Sequence, residues 1–287
     1  MFLIPHYAYT NRWTTIKKQK HEMNNRKIVF LVIGLLYAGI SFSQDVNIHV
    51  GVKDSIKSDI LSENRQIVVS LPEGYHTETK SYPVLYVLDG NETGLLNAII
   101  VTRKLREEMI IVAIPNVDRD RDMMPLSTPT YKVDSPGAEK FLSFIERELI
   151  PHIEKKWRTN EQRTIRGASL SGLFVIFAFL EKPGLFDNYI GNSAGWYVDM
   201  NLFFNALIDK SFENKELFYG RKLFVANSLI DPYDPNKEVH QSMLEFSRKI
   251  KAELGGKLFF KYKTYENYGH VPFPSFYDGL EYILKSE

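Results

Sequence analysis

The sequence predicts a mostly parallel, doubly wound α/β sheet with helices on both faces and antiparallel strands at its N-terminal edge. Three observations carry that expectation. Residues 46–52 and 65–71 alternate in polarity, the mark of strands with one wet face. Residues 82–88 and 109–114 are instead continuous apolar runs, as in strands covered on both sides. Stretches with helical apolar spacing then separate the runs, and repeated strand–helix units fold into a parallel sheet.

Composition bounds the class. The chain has 287 residues, a net charge of +1, 44% hydrophobic residues and no cysteine. One globular domain is the first expectation. Disulfides, thiolate metal sites and a cysteine nucleophile are excluded. A near-neutral balance gives no reason to expect nucleic acid or an acidic membrane as partner.

Residues 24–27 are polar and basic, 28–40 are apolar, and Ser41, Ser43 and Gln44 follow. That order predicts a secretory signal peptide over 23–43, with cleavage near Ser43, no stable membrane insertion afterwards, and a periplasmic or secreted mature chain from 44 to 287. Residues 1–22 read as an upstream extension, with Met23 the more natural start.

Taken in order, residues 72–75 (Pro-Glu-Gly-Tyr) are a turn before the central strand at 82–88. That strand ends in Asp89-Gly90-Asn91-Glu92, and a helix runs on to about Glu107. The strand at 109–114 leads into a charged loop, 115–122. A helix is expected over 138–156, with Phe141, Phe144, Ile145, Leu149 and Ile153 on one face. A short strand ending at 164–166 precedes a buried helix from 173, stopped by Pro183-Gly184. Further strands are expected at 189–191, 223–226 and 257–265, and further helices at 237–254 and 276–284.

Between strand and helix lies Gly167-Ala168-Ser169-Leu170-Ser171-Gly172. A serine flanked by small residues at a sharp strand-to-helix reversal is the pattern of a nucleophile elbow. The pattern is usually G-x-S-x-G; Ser171 in the last place is a mild departure, since serine is also small. A serine hydroxyl needs a base, and the base an orienting acid. Of seven histidines, His270 alone follows the last strand, where the nucleophile–acid–base order needs it. Asp231 is the first candidate acid, with Asp234 and Glu266 as alternatives, and any of these aspartates could instead cap the helix beginning near Lys237. An oxyanion hole is expected from the amide of Leu170 and a second amide after the 82–88 strand, at Gly90 or Asn91. Arg119 and Arg121 are candidates for binding an anionic or hydroxylated substrate, against the alternative of a self-paired surface loop. Trp196, with Tyr197, is a candidate wall of an acyl or sugar pocket, against the alternative of core packing.

These segments resemble a known family. Residues 65–75 (RQIVVSLPEGY), 82–90 (YPVLYVLDG), 114–122 (IPNVDRDRD), 167–174 (GASLSGLF) and 269–272 (GHVP) are similar to the putative-esterase, or esterase D-like, family of α/β-hydrolases. That family includes S-formylglutathione hydrolase, feruloyl esterases, mycolyltransferases and siderophore esterases of the enterobactin and salmochelin type. The resemblance spans roughly residues 46 to 285, and the 116–121 loop (NVDRDR) brings it nearest the siderophore branch. It implies an α/β-hydrolase fold, Ser169 as nucleophile, His270 as base, and no metal or organic cofactor. It leaves the acid open, because the acid is the least regular member of the site in this family. The expectation is a secreted serine esterase working through an acyl-enzyme on a small-molecule or glycan ester, such as a siderophore ester or an acyl-sugar. An acyltransferase on the same site and a non-catalytic binding protein are the alternatives.

Overall fold

The computed structural model describes residues 49–286. The predicted extension at 1–22 and leader at 23–43 lie outside them. Eight strands form one sheet in the order β1-β2-β4-β3-β5-β6-β7-β8. Strands β1 (Val52–Ser58) and β2 (Glu63–Ser70) make an antiparallel hairpin, and β2 runs antiparallel to β4 (Ile110–Ile114). The remaining pairings, among β3 (Tyr82–Leu88), β4, β5 (Thr159–Ala168), β6 (Asn188–Asn192), β7 (Lys222–Ser228) and β8 (Phe259–Tyr265), are all parallel. This is the α/β-hydrolase fold class that the sequence predicts.

The first strand differs from expectation: it begins at Val52 rather than running over 46–52. Its inward positions are Ile56 and Ser58, so half of the buried pattern is hidden in a serine. The serine hydroxyl donates to Glu148 Oε2 at 2.5 Å, which satisfies it in a buried place.

Helices cover both faces. On one face, α1 (Glu92–Leu105) and α8 (Ser275–Lys285) press Leu95, Ala98, Phe276 and Leu280 onto Leu85, Val87 and Phe224. The other face is covered by α3 (Ala138–Phe144), α4 (Ile150–Lys156), α5 (Leu170–Glu181), α6 (Asn201–Ser211) and α7 (Glu238–Leu254). Every residue of α5 from Leu170 to Leu180 is buried, so this helix has no wet face. A fully buried Phe or Leu contributes about 1.5–3 kcal/mol, which fixes α5 and hence the turn that enters it. A short helix, α2 (Arg119–Met123), lies within the segment expected to be a charged loop.

The helix expected over 138–156 is interrupted by one π turn, Ile145–Leu149. Pro151 explains it: proline has no N–H, and its ring crowds the carbonyl four residues back, which a wider turn relieves. Glu148 in that turn accepts from the amides of Asp59 and Ile60, pinning the β1–β2 hairpin.

The carboxyl ends of the parallel strands share one edge. Three non-glycine residues there take left-handed backbone: Asp89 (φ 51°) after β3, Ser169 (φ 59°) after β5 and Ser193 (φ 46°) after β6. Strained backbone of this kind gathers at functional sites.

Candidate active site

Ser169 stands between β5 and α5 at φ 59°, ψ −125°. A Cβ on Gly167 would lie 2.2 Å from the Ser171 carbonyl oxygen, and one on Gly172 would lie 2.6 Å from that of Asn192. The reversal is therefore open only to glycine at those two positions. The Ser169 amide donates to Asn192 O at 2.9 Å, which ties the elbow to β6. Ser171 is completely buried; its hydroxyl accepts from the Ala168 amide at 2.8 Å and reaches Asp89 Oδ2 at 2.7 Å. The serine is thus an active tie rather than a tolerated small residue.

His270 follows β8 and brings its Nε2 to 2.7 Å from Ser169 Oγ. Its Nδ1 lies 2.6 Å from Asp231 Oδ2. With Nδ1–H donating to the carboxylate, Nε2 is left as the acceptor facing the serine hydroxyl. Asp231 Oδ1 accepts from the Tyr233 amide at 2.9 Å, and the Tyr233 ring meets the imidazole edge-on at 4.8 Å. The histidine loop is anchored to β7 by the Ser228 hydroxyl, which donates to Tyr268 O. Asp234 is engaged elsewhere: its two oxygens accept from the amides of Val239 and His240, capping α7. Glu266 is exposed.

The three side chains open into a cleft of about 240 Å³ lined by Arg119, Tyr131, Ser169, Leu170, Gly195, Tyr197, Tyr233 and His270. The Leu170 amide is the first of α5 and has no acceptor within its helix, so it is free to face charge developing beside Ser169. The expected second donor is not there. The Gly90 amide donates to Ile114 O at 2.9 Å and the Asn91 amide to Asp89 O at 2.9 Å. Gly90 is glycine for another reason: a Cβ would sit 2.2 Å from the Ile114 nitrogen, where the chain extends the β3–β4 ladder. Asn91 caps α1, its side chain accepting from the Gly94 amide.

The two arginines part company. One turn of helix turns residues two apart to opposite sides. Arg119 faces the cleft, held by Asp89 at 2.7 Å from Nε and 2.9 Å from Nη2. Arg121 faces β2, where Glu63 grips it at 2.8 and 3.1 Å and Asp122 at 2.8 Å. Its neighbours in that network are the buried Arg65 and Asp122, so Arg121 is a structural tie and not a cleft residue. Trp196 is also corrected: it is buried, donates to Asn201 Oδ1 at 2.7 Å and packs on Phe204 and Phe246. Tyr197 takes its place in the cleft wall.

Charge in the site centres on Asp89. Burial alone raises its carboxyl, but hydrogen bonds from Arg119, Asn116 and Ser171 outweigh that and hold it below the usual carboxylate range. The bond to Asp89 in turn raises Arg119. Burial pushes the Tyr131 phenol up to about 12, helped by its bond to Asp120. Sequence reasoning missed Tyr131, Tyr233 and the part played by Asp89. The tyrosines lie in segments without periodicity, and only the placement of Asp89 past a strand signalled it.

Comparison with known proteins agrees with this architecture. Over 148 residues the chain is 32% identical to the uncharacterized protein YbbA of Bacillus subtilis (strain 168), covering 47% of this chain and 58% of that one. Over 136 residues it is 33% identical to the ferri-bacillibactin esterase BesA of the same organism, covering 39% and 47%. The chain thus spans about half the length of the curated relatives it matches. An IroE-like serine hydrolase from Shewanella oneidensis superposes with a TM-score of 0.70 at 28% identity, over 82% of this chain and 80% of the other. Residues 58–249 match the family model described as "Putative esterase". That match takes in two-thirds of the sequence, including β5, the elbow and Asp231, and the chain belongs to this esterase family.

Proposed function

We propose that the protein is a serine hydrolase of carboxylic esters, with Ser169 as nucleophile, His270 as general base and Asp231 as its orienting acid. One observation carries the reading: an unbroken hydrogen-bond chain, 2.7 Å from Ser169 to His270 and 2.6 Å from His270 to Asp231, at the mouth of a cleft. Ser169 Oγ attacks the ester carbonyl as its proton passes to His270 Nε2, and Asp231 stabilises the imidazolium that forms. The carbonyl oxygen becomes an anion facing the Leu170 amide. Collapse expels the alkoxide, which takes the proton from His270. Water then attacks the acyl-enzyme with the same histidine as base, returning the acid product and free Ser169.

The cleft suits an aromatic or hydroxylated acyl group. Tyr131, Tyr197 and Tyr233 offer ring faces with polar tips, and Arg119 adds a cation. A catecholate siderophore ester fits that chemistry, as does a feruloyl or acyl-sugar ester, and kinship with a bacillibactin esterase favours the first. The signal-like segment at 23–43 supports a secreted or periplasmic enzyme. No helix among the described residues is long and apolar enough to cross a membrane.

The test is steady-state hydrolysis of p-nitrophenyl acetate, methyl ferulate, an acetylated xylan and a catecholate trilactone by wild type and Ser169→Ala. Expected is turnover that the substitution removes, with labelling of the wild type by a fluorophosphonate. Appreciable turnover in Ser169→Ala overturns the assignment.

A further inference from the structure

The Gly90 and Asn91 amides are both committed to backbone carbonyls, so neither of the backbone donors expected after β3 is left for an oxyanion. Arg119 lines the same cleft as Ser169 and Leu170, and its Nη2 lies 3.5 Å from the carbonyl of Ala168, the residue before the nucleophile. Asp89 occupies Nε and Nη2, leaving Nη1 with no hydrogen bond among the described residues.

What holds Asp89 is equally specific. Its carboxylate accepts from Asn116 Nδ2 at 2.7 Å and from Ser171 Oγ at 2.7 Å. Ser171 is tied to the elbow itself, because its hydroxyl accepts from the Ala168 amide at 2.8 Å. Glycine at 171 would satisfy the steric demand of the turn but could not make these bonds. A second guanidinium in the elbow strand, Arg166, is buried over the Phe276 ring at 4.7 Å.

Building on the reading of Ser169 as nucleophile, we propose that Arg119 donates the second hydrogen bond to the oxyanion. Ser171 and Asp89 are then positioning residues that aim it. A bidentate clamp fixes the planar fork in advance, so the donor need not reorganise as charge develops. The departure from the usual elbow glycine follows: Ser171 joins the nucleophile's turn to the group that stabilises its product.

The deciding substrate is p-nitrophenyl acetate, which has no anionic group for an arginine to recognise. In Arg119→Ala, kcat on this ester is expected to fall about 10²–10³-fold with KM changed by less than about threefold. Millimolar guanidinium should restore part of kcat in that variant and none in wild type. Ser171→Gly, which keeps the elbow sterically intact, should lower kcat about tenfold at unchanged KM. If Arg119→Ala does not fold, Arg119→Lys keeps the charge without the fork and should remain at least about tenfold below wild type. Full kcat on the acetate in either arginine variant, with loss only of affinity for anionic esters, overturns the proposal and makes Arg119 a recognition residue. Failure of the underlying reading shows separately, as turnover by Ser169→Ala.

Discussion

The amide of Asp234 donates to the carbonyl of Asp231 at 3.1 Å, so one tight turn carries two carboxylates with different partners. Asp231 turns inward to His270, and Asp234 turns onward to the first amides of α7. Substitution should separate the two. Asp231→Asn is expected to lower kcat by about 10²–10⁴-fold with little change in melting temperature, through loss of the imidazolium's partner. Asp234→Ala should keep kcat within about twofold and cost about 1 kcal/mol in urea unfolding, the worth of a helix cap. The reverse pattern would transfer the acid's role to Asp234.

The Glu63–Arg121–Asp122–Arg65 network is expected to matter for stability alone. Asp122→Asn removes a buried carboxylate paired with Arg65, leaving Glu63 at 3.0 Å as that arginine's ionic partner, and should cost about 1.5–3 kcal/mol by denaturant unfolding. Arg121→Met should lower stability while leaving kcat/KM unchanged on every ester of the panel. A selective loss of activity on anionic esters in Arg121→Met would return that arginine to the cleft.

Asp89 predicts a pH signature in stability. Its carboxyl is held below its ordinary value in the fold, so the unfolded chain binds the proton more readily. The stabilisation is then fully present above the ordinary carboxylate value of about 3.9 and disappears as pH falls through the folded value. The stability gap between wild type and Asp89→Asn should therefore be steady from about pH 7 to about pH 5 and close at lower pH. A gap that stays constant to about pH 2.5 would show that Asp89 is not held ionised by its partners.

Gly90→Ala tests why a glycine follows β3. The added methyl meets the Ile114 backbone at 2.2 Å, so the variant should lose upward of about 2 kcal/mol in unfolding experiments. The protein that remains folded should turn over p-nitrophenyl acetate at near the wild-type rate, because that amide serves the sheet. A folded Gly90→Ala with collapsed kcat would put the amide back in the oxyanion site.

How far the sequence was readable follows from what each residue's signal distinguishes. Ser169, Asp231 and His270 could be singled out because each follows a strand at an edge where parallel sheets gather their loops. Gly90 was misplaced because a glycine after a strand signals close backbone approach without saying which backbone approaches. Arg119 and Arg121 could not be told apart in a run of alternating charges, since α2 has no apolar stripe to reveal one turn of helix. Trp196 and Tyr197 are adjacent and point to different environments, a distinction that needs α6 and α7 in place. The β1 boundary was lost because its inward Ser58 reads as polar.

The order of the strands has a consequence for biosynthesis. His270 follows β8, which among the described residues pairs with β7 alone, and it lies 101 residues beyond Ser169. On the proposed roles, a growing chain that has folded through β7 carries Ser169 and Asp231 but not His270, and so is chemically silent. Such distant contacts form late because their loop closure is costly. Hydrolytic competence therefore marks completion of the fold: during refolding it should return after helix content, as the last strand docks.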